Sequence, residues 1–154
     1  MNILAIDPGP VISAHVVWDG REILDMGISD NYELLALVGG DNAADELVIE
    51  QVCSYGMAVG ASVFETVFWS GRFAEAWLGN FHRLPRMDVK MHLCHDSRAK
   101  PKNISQALRD RFGEKGTKKA PGLLYGVKDH IWAALALGVT FWDKENPGAM
   151  RPRG

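Results

Sequence analysis

Apolar residues recur along the chain in short blocks separated by turn residues, and the blocks change period. Ile3 to Ile6 is a continuous apolar run ended by Asp7, Pro8 and Gly9, the pattern of a strand covered on both faces. Ser13 to Trp18 and Arg21 to Ile28 read as a second and third strand, joined by the tight-turn pair Asp19-Gly20. Asn31 to Gly39 has the cap and apolar spacing of a short helix, and Glu46 to Val52 returns to strand pattern. No proline interrupts Met57 to Phe81, where Val59, Val63, Val67, Phe68, Ala74 and Trp77 include helical spacings; one long helix, bent near Ser70-Gly71, is predicted. Alternation in Arg86 to Leu93, entered from Pro85, predicts a fifth strand. Ile104 to Phe112 reads as a helix, Gly113 to Gly122 as a mobile basic loop, and Lys128 to Trp142 as a strongly apolar closing helix. The predicted order is β-β-β-α-β-α-β-α-α, an α/β fold in one domain over residues 1–145, with a flexible basic tail over 146–154.

A chain of 154 residues with 47% hydrophobic and 23% charged residues is long enough to bury a core without staples and too apolar to be disordered. No segment reaches the roughly 18 uninterrupted apolar residues of a membrane span, and the N-terminal run is too short for a signal peptide. A cytoplasmic protein with no membrane partner is expected. Cys53 and Cys94 are the only cysteines, so neither a disulfide framework nor a cysteine-rich zinc site is suggested.

Charge is segregated. Residues 1–82 carry twelve acids against Arg21 and Arg72, whereas residues 83–119 carry eleven basic residues against four acids. Cations that grip a phosphate backbone, next to acids that hold metal, suit an enzyme acting on phosphodiesters; a solvated basic surface is the bland alternative. Asp7 lies at a strand's carboxyl end, where α/β sheets often bind ligands, although Asp-Pro-Gly also makes a simple turn. Glu50 is the only charge within Leu47 to Val52, a costly place for a carboxylate without a metal, a hydrogen bond or a raised pKa. Asp129 and His130 open the closing helix, where Asp129 could equally be a cap. If the strands are neighbours, Asp7, Glu50, Asp129 and His130 converge as an oxygen-rich site suited to Mg²⁺ or Mn²⁺. Two such ions would serve phosphodiester hydrolysis.

Three segments together resemble the RuvC-type Holliday junction resolvases of the RNase H-like superfamily, particularly the small versions from bacteriophages. "ILAIDPG" (Ile3 to Gly9) resembles the opening motif with its metal-binding aspartate, "VIEQV" (Val48 to Val52) the second motif with its glutamate, and "KDHIWAALALGVT" (Lys128 to Thr140) the closing helix. The resemblance implies an RNase H-like fold, a mixed five-stranded sheet with helices on both faces. It also implies Mg²⁺-dependent cleavage of branched DNA, with Mn²⁺ able to substitute, by a homodimer whose two sites nick opposing strands. It assigns metal binding and catalysis to Asp7, Glu50, Asp129 and His130.

The chain departs from that pattern where the family usually places an acid one helical turn after the first closing-helix ligand; here the two positions are His130 and Ala133. An aromatic that commonly follows the glutamate motif is replaced by Cys53, with Tyr55 the nearest aromatic for stacking on DNA. Lys115, Lys118 and Lys119 are the first choices for phosphate contacts, followed by Arg98, Lys100 and Lys102. Two other functions fit the same acids: a nuclease of the superfamily cutting RNA in RNA–DNA hybrids, and a branched-DNA-binding module whose depleted site no longer cuts.

Overall fold

The computed structural model describes residues 1–150. Five strands, β1 (Ile3–Asp7), β2 (Ile12–Trp18), β3 (Ile23–Asp30), β4 (Glu46–Gln51) and β5 (Phe81–Pro85), form one sheet in the order β3-β2-β1-β4-β5. β1 pairs antiparallel with β2 and parallel with β4, and β5 adds parallel to β4, so the sheet is mixed. Helices α1 (Asn31–Gly39) and α2 (Ala61–Ala76) cover one face; α3 (Arg86–Cys94), α4 (Pro101–Phe112) and α5 (Ile131–Glu145) cover the other. A 3-10 turn at Pro147–Met150 follows, inside the segment 146–154 expected to be a tail; residues 151–154 lie outside the described residues. No helix among the described residues is long and apolar enough to cross a membrane.

Because strand side chains alternate, the central strand feeds two cores. Leu4 and Ile6 pack with Leu47, Ile49, Leu34, Val38 and Phe73 under α1 and α2. Ile3 and Ala5 pack with Val48 and the apolar face of α5 on the opposite side. The next residue on that second face of β1 is Asp7, and the next on β4 is Glu50. Gly138 of α5 lies so close that a Cβ there would stand 3.3 Å from the Ala5 Cβ, which fixes the helix directly over the central strand. α3, α4 and α5 are tied together by Asp143, whose buried carboxylate accepts from Arg111 at 2.6 and 2.9 Å and pairs with His92 at 2.8 Å. That charge is matched on both oxygens, so it holds the three helices in register.

The first three strands, α1 and β4 fall close to where the sequence pattern puts them. Asp30 caps α1 by accepting from the Tyr32 N–H at 2.9 Å. The fifth strand does not: it is Phe81–Pro85, and Arg86 to Leu93 is helical. Pro85 is tolerated because β5 is an edge strand, and its extended backbone then serves as the N-cap of α3. The alternation of Met87, Val89, Met91 and Leu93 is incidental, since Val89 is buried and Met91 is 46% exposed. α2 is shorter than predicted, starting after Gly60, ending before Trp77 and passing without interruption through Ser70-Gly71. α4 begins three residues earlier, with Pro101 at its first position. The loop at 113–122 is folded back on itself by a bridge between Gly116 and Pro121 and by reciprocal Thr117–Ala120 backbone bonds of 3.1 Å. α5 starts at Ile131, which leaves Asp129 and His130 in the turn before it instead of in its first turn.

Candidate active site

The parallel pairing of β1 and β4, with Ile6 opposite Ile49, sets Asp7 and Glu50 side by side one step further along, at the carboxyl edge of both strands. Both project towards the α5 face. Asp7 is only 6% exposed, and its carboxyl is within hydrogen-bonding reach of Glu50. Burial pushes Asp7 up to about 8, and the hydrogen bond and negative charge of Glu50 push the same way; Arg86 pulls weakly against them. His130 reaches back from the turn before α5 and places Nδ1 3.0 Å from Asp7 Oδ2, while its ring stands largely exposed.

The turn that carries Asp7 is braced from below. Ser13 donates to Asn31 Oδ1 at 2.6 Å and accepts from the Gly9 N–H at 3.0 Å, and Asn31 Nδ2 donates to the Gly9 carbonyl at 2.9 Å. Ser13 and Asn31 are buried, and a Cβ on Gly9 would collide with the Ile12 carbonyl oxygen. The Pro8-Gly9 bend is therefore held from β2 and α1 at once, which limits how far the Asp7 carboxylate can stray.

Asp7 and Glu50 open into a cleft of about 810 Å³ between the sheet edge and the start of α3, α4 and α5. Pro8, Gly9 and Pro10 line one side, and Arg86, Lys90, Pro101, Ile104, Trp132 and Ala133 line the other. Arg86, first residue of α3, donates from Nε to Glu50 Oε1 at 2.8 Å and from Nη2 to Oε2 at 3.4 Å. Burial works to lower the guanidinium's pKa, but Glu50 and Asp7 outweigh it and the net direction is up. Tyr55, 60% exposed and with left-handed backbone at φ 51°, stands near Arg86 and Met87 but does not line the cleft.

Of the four acid and histidine candidates, Asp7, Glu50 and His130 come together. Asp129 borders the same cleft, but its residue is exposed, its backbone is left-handed at φ 47°, and it makes no side-chain hydrogen bond to the other three. Among the described residues no group of three or more His, Cys, Asp or Glu side chains is arranged to hold a metal ion. The position one turn after His130 is Ala133, which offers no donor.

The basic candidates divide by location. Lys100 and Lys102 are exposed and flank Pro101 where α4 begins on the cleft wall, with exposed Arg98 just before them. Lys115, Lys118 and Lys119 are elsewhere. Their loop rejoins the fold at Pro121 to Leu123, against Asp19 to Ile23 of the β2–β3 turn. That turn lies beside Ile3, at the opposite end of β1 from Asp7, roughly 13 Å away at the usual rise of a strand. Arg86 and Lys90 escaped detection because their segment reads as an alternating strand; Ser13 and Asn31 left no signal beyond being polar residues next to apolar runs.

No family model and no curated protein matches the chain. Among solved structures it is similar to the RuvC structure of Thermus thermophilus, with a TM-score of 0.69 and 18% identity over 96% of this chain and 97% of that one. It is likewise similar to Thermus thermophilus RuvC in complex with Holliday junction substrate, with a TM-score of 0.73 and 18% identity over 96% of each chain. The chain thus has the RuvC fold, the RNase H-like arrangement that its three motifs resemble.

Proposed function

We propose that this protein is a metal-dependent, structure-selective endonuclease that cleaves four-way DNA junctions. The observation that carries the reading is the Asp7–Glu50 pair, a buried and a partly buried carboxylate side by side at the carboxyl edge of β1 and β4 in a RuvC fold. Asp7 is pushed up to about 8 chiefly by burial and then by the neighbouring Glu50, so the two carboxylates are poorly balanced by the protein alone. A divalent ion would balance them. Mg²⁺ fits this donor set, since it binds through oxygen and keeps several positions for water and substrate phosphate; Mn²⁺ can substitute.

Asp7 and Glu50 would hold the ion, which supplies charge stabilisation to a phosphodiester and acidity to a bound water. A second ion would draw on His130 and Asp129 as well. His130 has a role of its own. Its Nδ1 is turned towards Asp7, so its Nε2 faces outward, free of hydrogen bonds among the described residues, and can accept a proton from a water or return one to a leaving oxygen. Lys90, Lys100 and Lys102, with Arg98 and Tyr55 further out, form the surface on which the backbone rests. The exposed Phe64, Val67 and Phe68 of α2 supply a face on which a second copy would pack, setting two sites against opposing strands.

One alternative has its own observation. Ala133 leaves the donor set one short and Arg86 already occupies Glu50, as in a module that binds branched DNA without cutting it. A gel assay on junction, RNA–DNA hybrid and linear duplex, in Mg²⁺ and in EDTA, separates the readings. The nuclease cuts the junction only with metal; the module shifts it in both and cuts in neither.

A further inference from the structure

Arg86 deserves a function of its own, because it covers the donor a metal ion would need. The β4–β5 register brings it there: Gln51 pairs with Pro85, so the next residue starts α3 beside the Glu50 carboxylate. Both Glu50 oxygens are engaged, at 2.8 and 3.4 Å. The Glu50 side chain is 14% exposed but that of Arg86 is 54% exposed, and Arg86 lines the cleft with Asp7 and Lys90. The guanidinium can therefore leave the carboxylate for the cleft without dismantling any core.

We propose that Arg86 is a positioning residue that covers Glu50 until a DNA phosphate takes up its guanidinium, so that divalent-ion capture and DNA binding reinforce each other. The proposal rests on Asp7 and Glu50 being the metal ligands. Charge counting carries it. With both carboxylates ionised, as a bound divalent ion would hold them, that ion and Arg86 together leave the site one positive charge over, and a phosphate restores neutrality. An unbalanced charge is costly in a partly desolvated cleft, so each ligand lowers the cost of the other. Without Arg86 the ion alone balances the carboxylates, and phosphate adds nothing. Guanidinium suits the exchange because its fork matches carboxylate and phosphate equally well.

The test is Mn²⁺ titration of DNA-free protein, followed by the electron paramagnetic resonance signal of free Mn²⁺, for wild type, Arg86→Gln, Arg86→Lys and Asp7→Asn. Arg86→Gln is expected to bind Mn²⁺ on the order of tenfold tighter than wild type, with Arg86→Lys between them. Junction binding by gel shift in EDTA and in Ca²⁺ reads the reciprocal effect: Ca²⁺ tightens binding by wild type by a similar factor and has little effect on Arg86→Gln. Circular dichroism checks the fold of each variant. Weakened Mn²⁺ binding by Asp7→Asn beside unchanged or weaker binding by Arg86→Gln overturns the proposal alone. Undiminished binding by Asp7→Asn overturns the metal-site reading and the proposal with it.

Discussion

Two segments of this protein carry clustered cations, the start of α3 and α4 and the loop at 113–122, and they lie towards opposite ends of the sheet. Arg86 and Lys90 border the same cleft as Asp7, with Lys100 and Lys102 beside it, whereas Lys115, Lys118 and Lys119 belong to a loop anchored at the β2–β3 turn. The loop is the nearer in sequence to His130, yet residues 121–129 travel the length of the sheet before α5 turns back. Closeness along a chain is a poor guide to closeness in space when the connecting segment runs parallel to a strand. What matters is which end of the sheet a segment packs against, because in this kind of fold the carboxyl edge gathers the ligand.

The largest expected effect defines the acidic side of the contrast. Asp7→Asn and Glu50→Gln should each lower junction cleavage by at least ~10³-fold, several kcal/mol of lost charge stabilisation, while junction binding in EDTA stays equal or tightens. Substantial cutting by either variant, read in single-turnover gels, breaks the assignment of the centre. His130→Ala should cost about 10²-fold if its ring moves a proton. Asp129→Asn should cost less than His130→Ala, because Asp129 stands apart from the other three and would serve only the second ion; an equal loss would bring it into the centre.

Smaller effects sharpen the contrast between the cationic segments. Lys90→Ala and Lys102→Ala should each weaken junction binding and reduce its log–log salt slope by about 0.9 per phosphate contact, measured by fluorescence anisotropy. Replacing Lys118 and Lys119 by Ala should leave that slope nearly unchanged. The opposite pattern would move the DNA to the far end of the sheet.

The fold and the site were legible to different degrees. Asp7 and Glu50 could be read directly, because a lone acid at the end of an apolar strand has few reasons to be there, and parallel pairing brings both to one edge. Arg86 and Lys90 could not, since Met87, Val89, Met91 and Leu93 alternate as a strand would and His82 and Arg83 disguise the true edge strand. His130 was legible as a neighbour of Asp7 but not in its setting: it is the residue before α5 rather than part of its first turn, and Asp129 just before it has left-handed backbone, so of the two only His130 bonds to Asp7. Such a turn is decided by packing, not by local pattern.

The smallest effect is one of stability. Asp7 is held above its ordinary range in the folded protein, so the folded state keeps a proton that the unfolded chain has released. Its contribution to stability is therefore complete below about pH 4 and lost as pH rises through about 8. Asp7→Asn removes that dependence. In EDTA the variant should gain on wild type across this window, reaching about 1–3 kcal/mol near its upper end by urea unfolding. A constant difference across the window would mean that Asp7 is ionised without penalty.

The most direct measurement of the central claim is single-turnover cleavage of a four-way junction, with linear duplex of equal length as competitor, by wild type and Asp7→Asn in Mg²⁺ and in EDTA. Expected are paired nicks on opposing strands by wild type in Mg²⁺ alone, little competition from duplex, and binding without cutting by Asp7→Asn. Cleavage that persists in EDTA, or in Asp7→Asn with Mg²⁺, would contradict it.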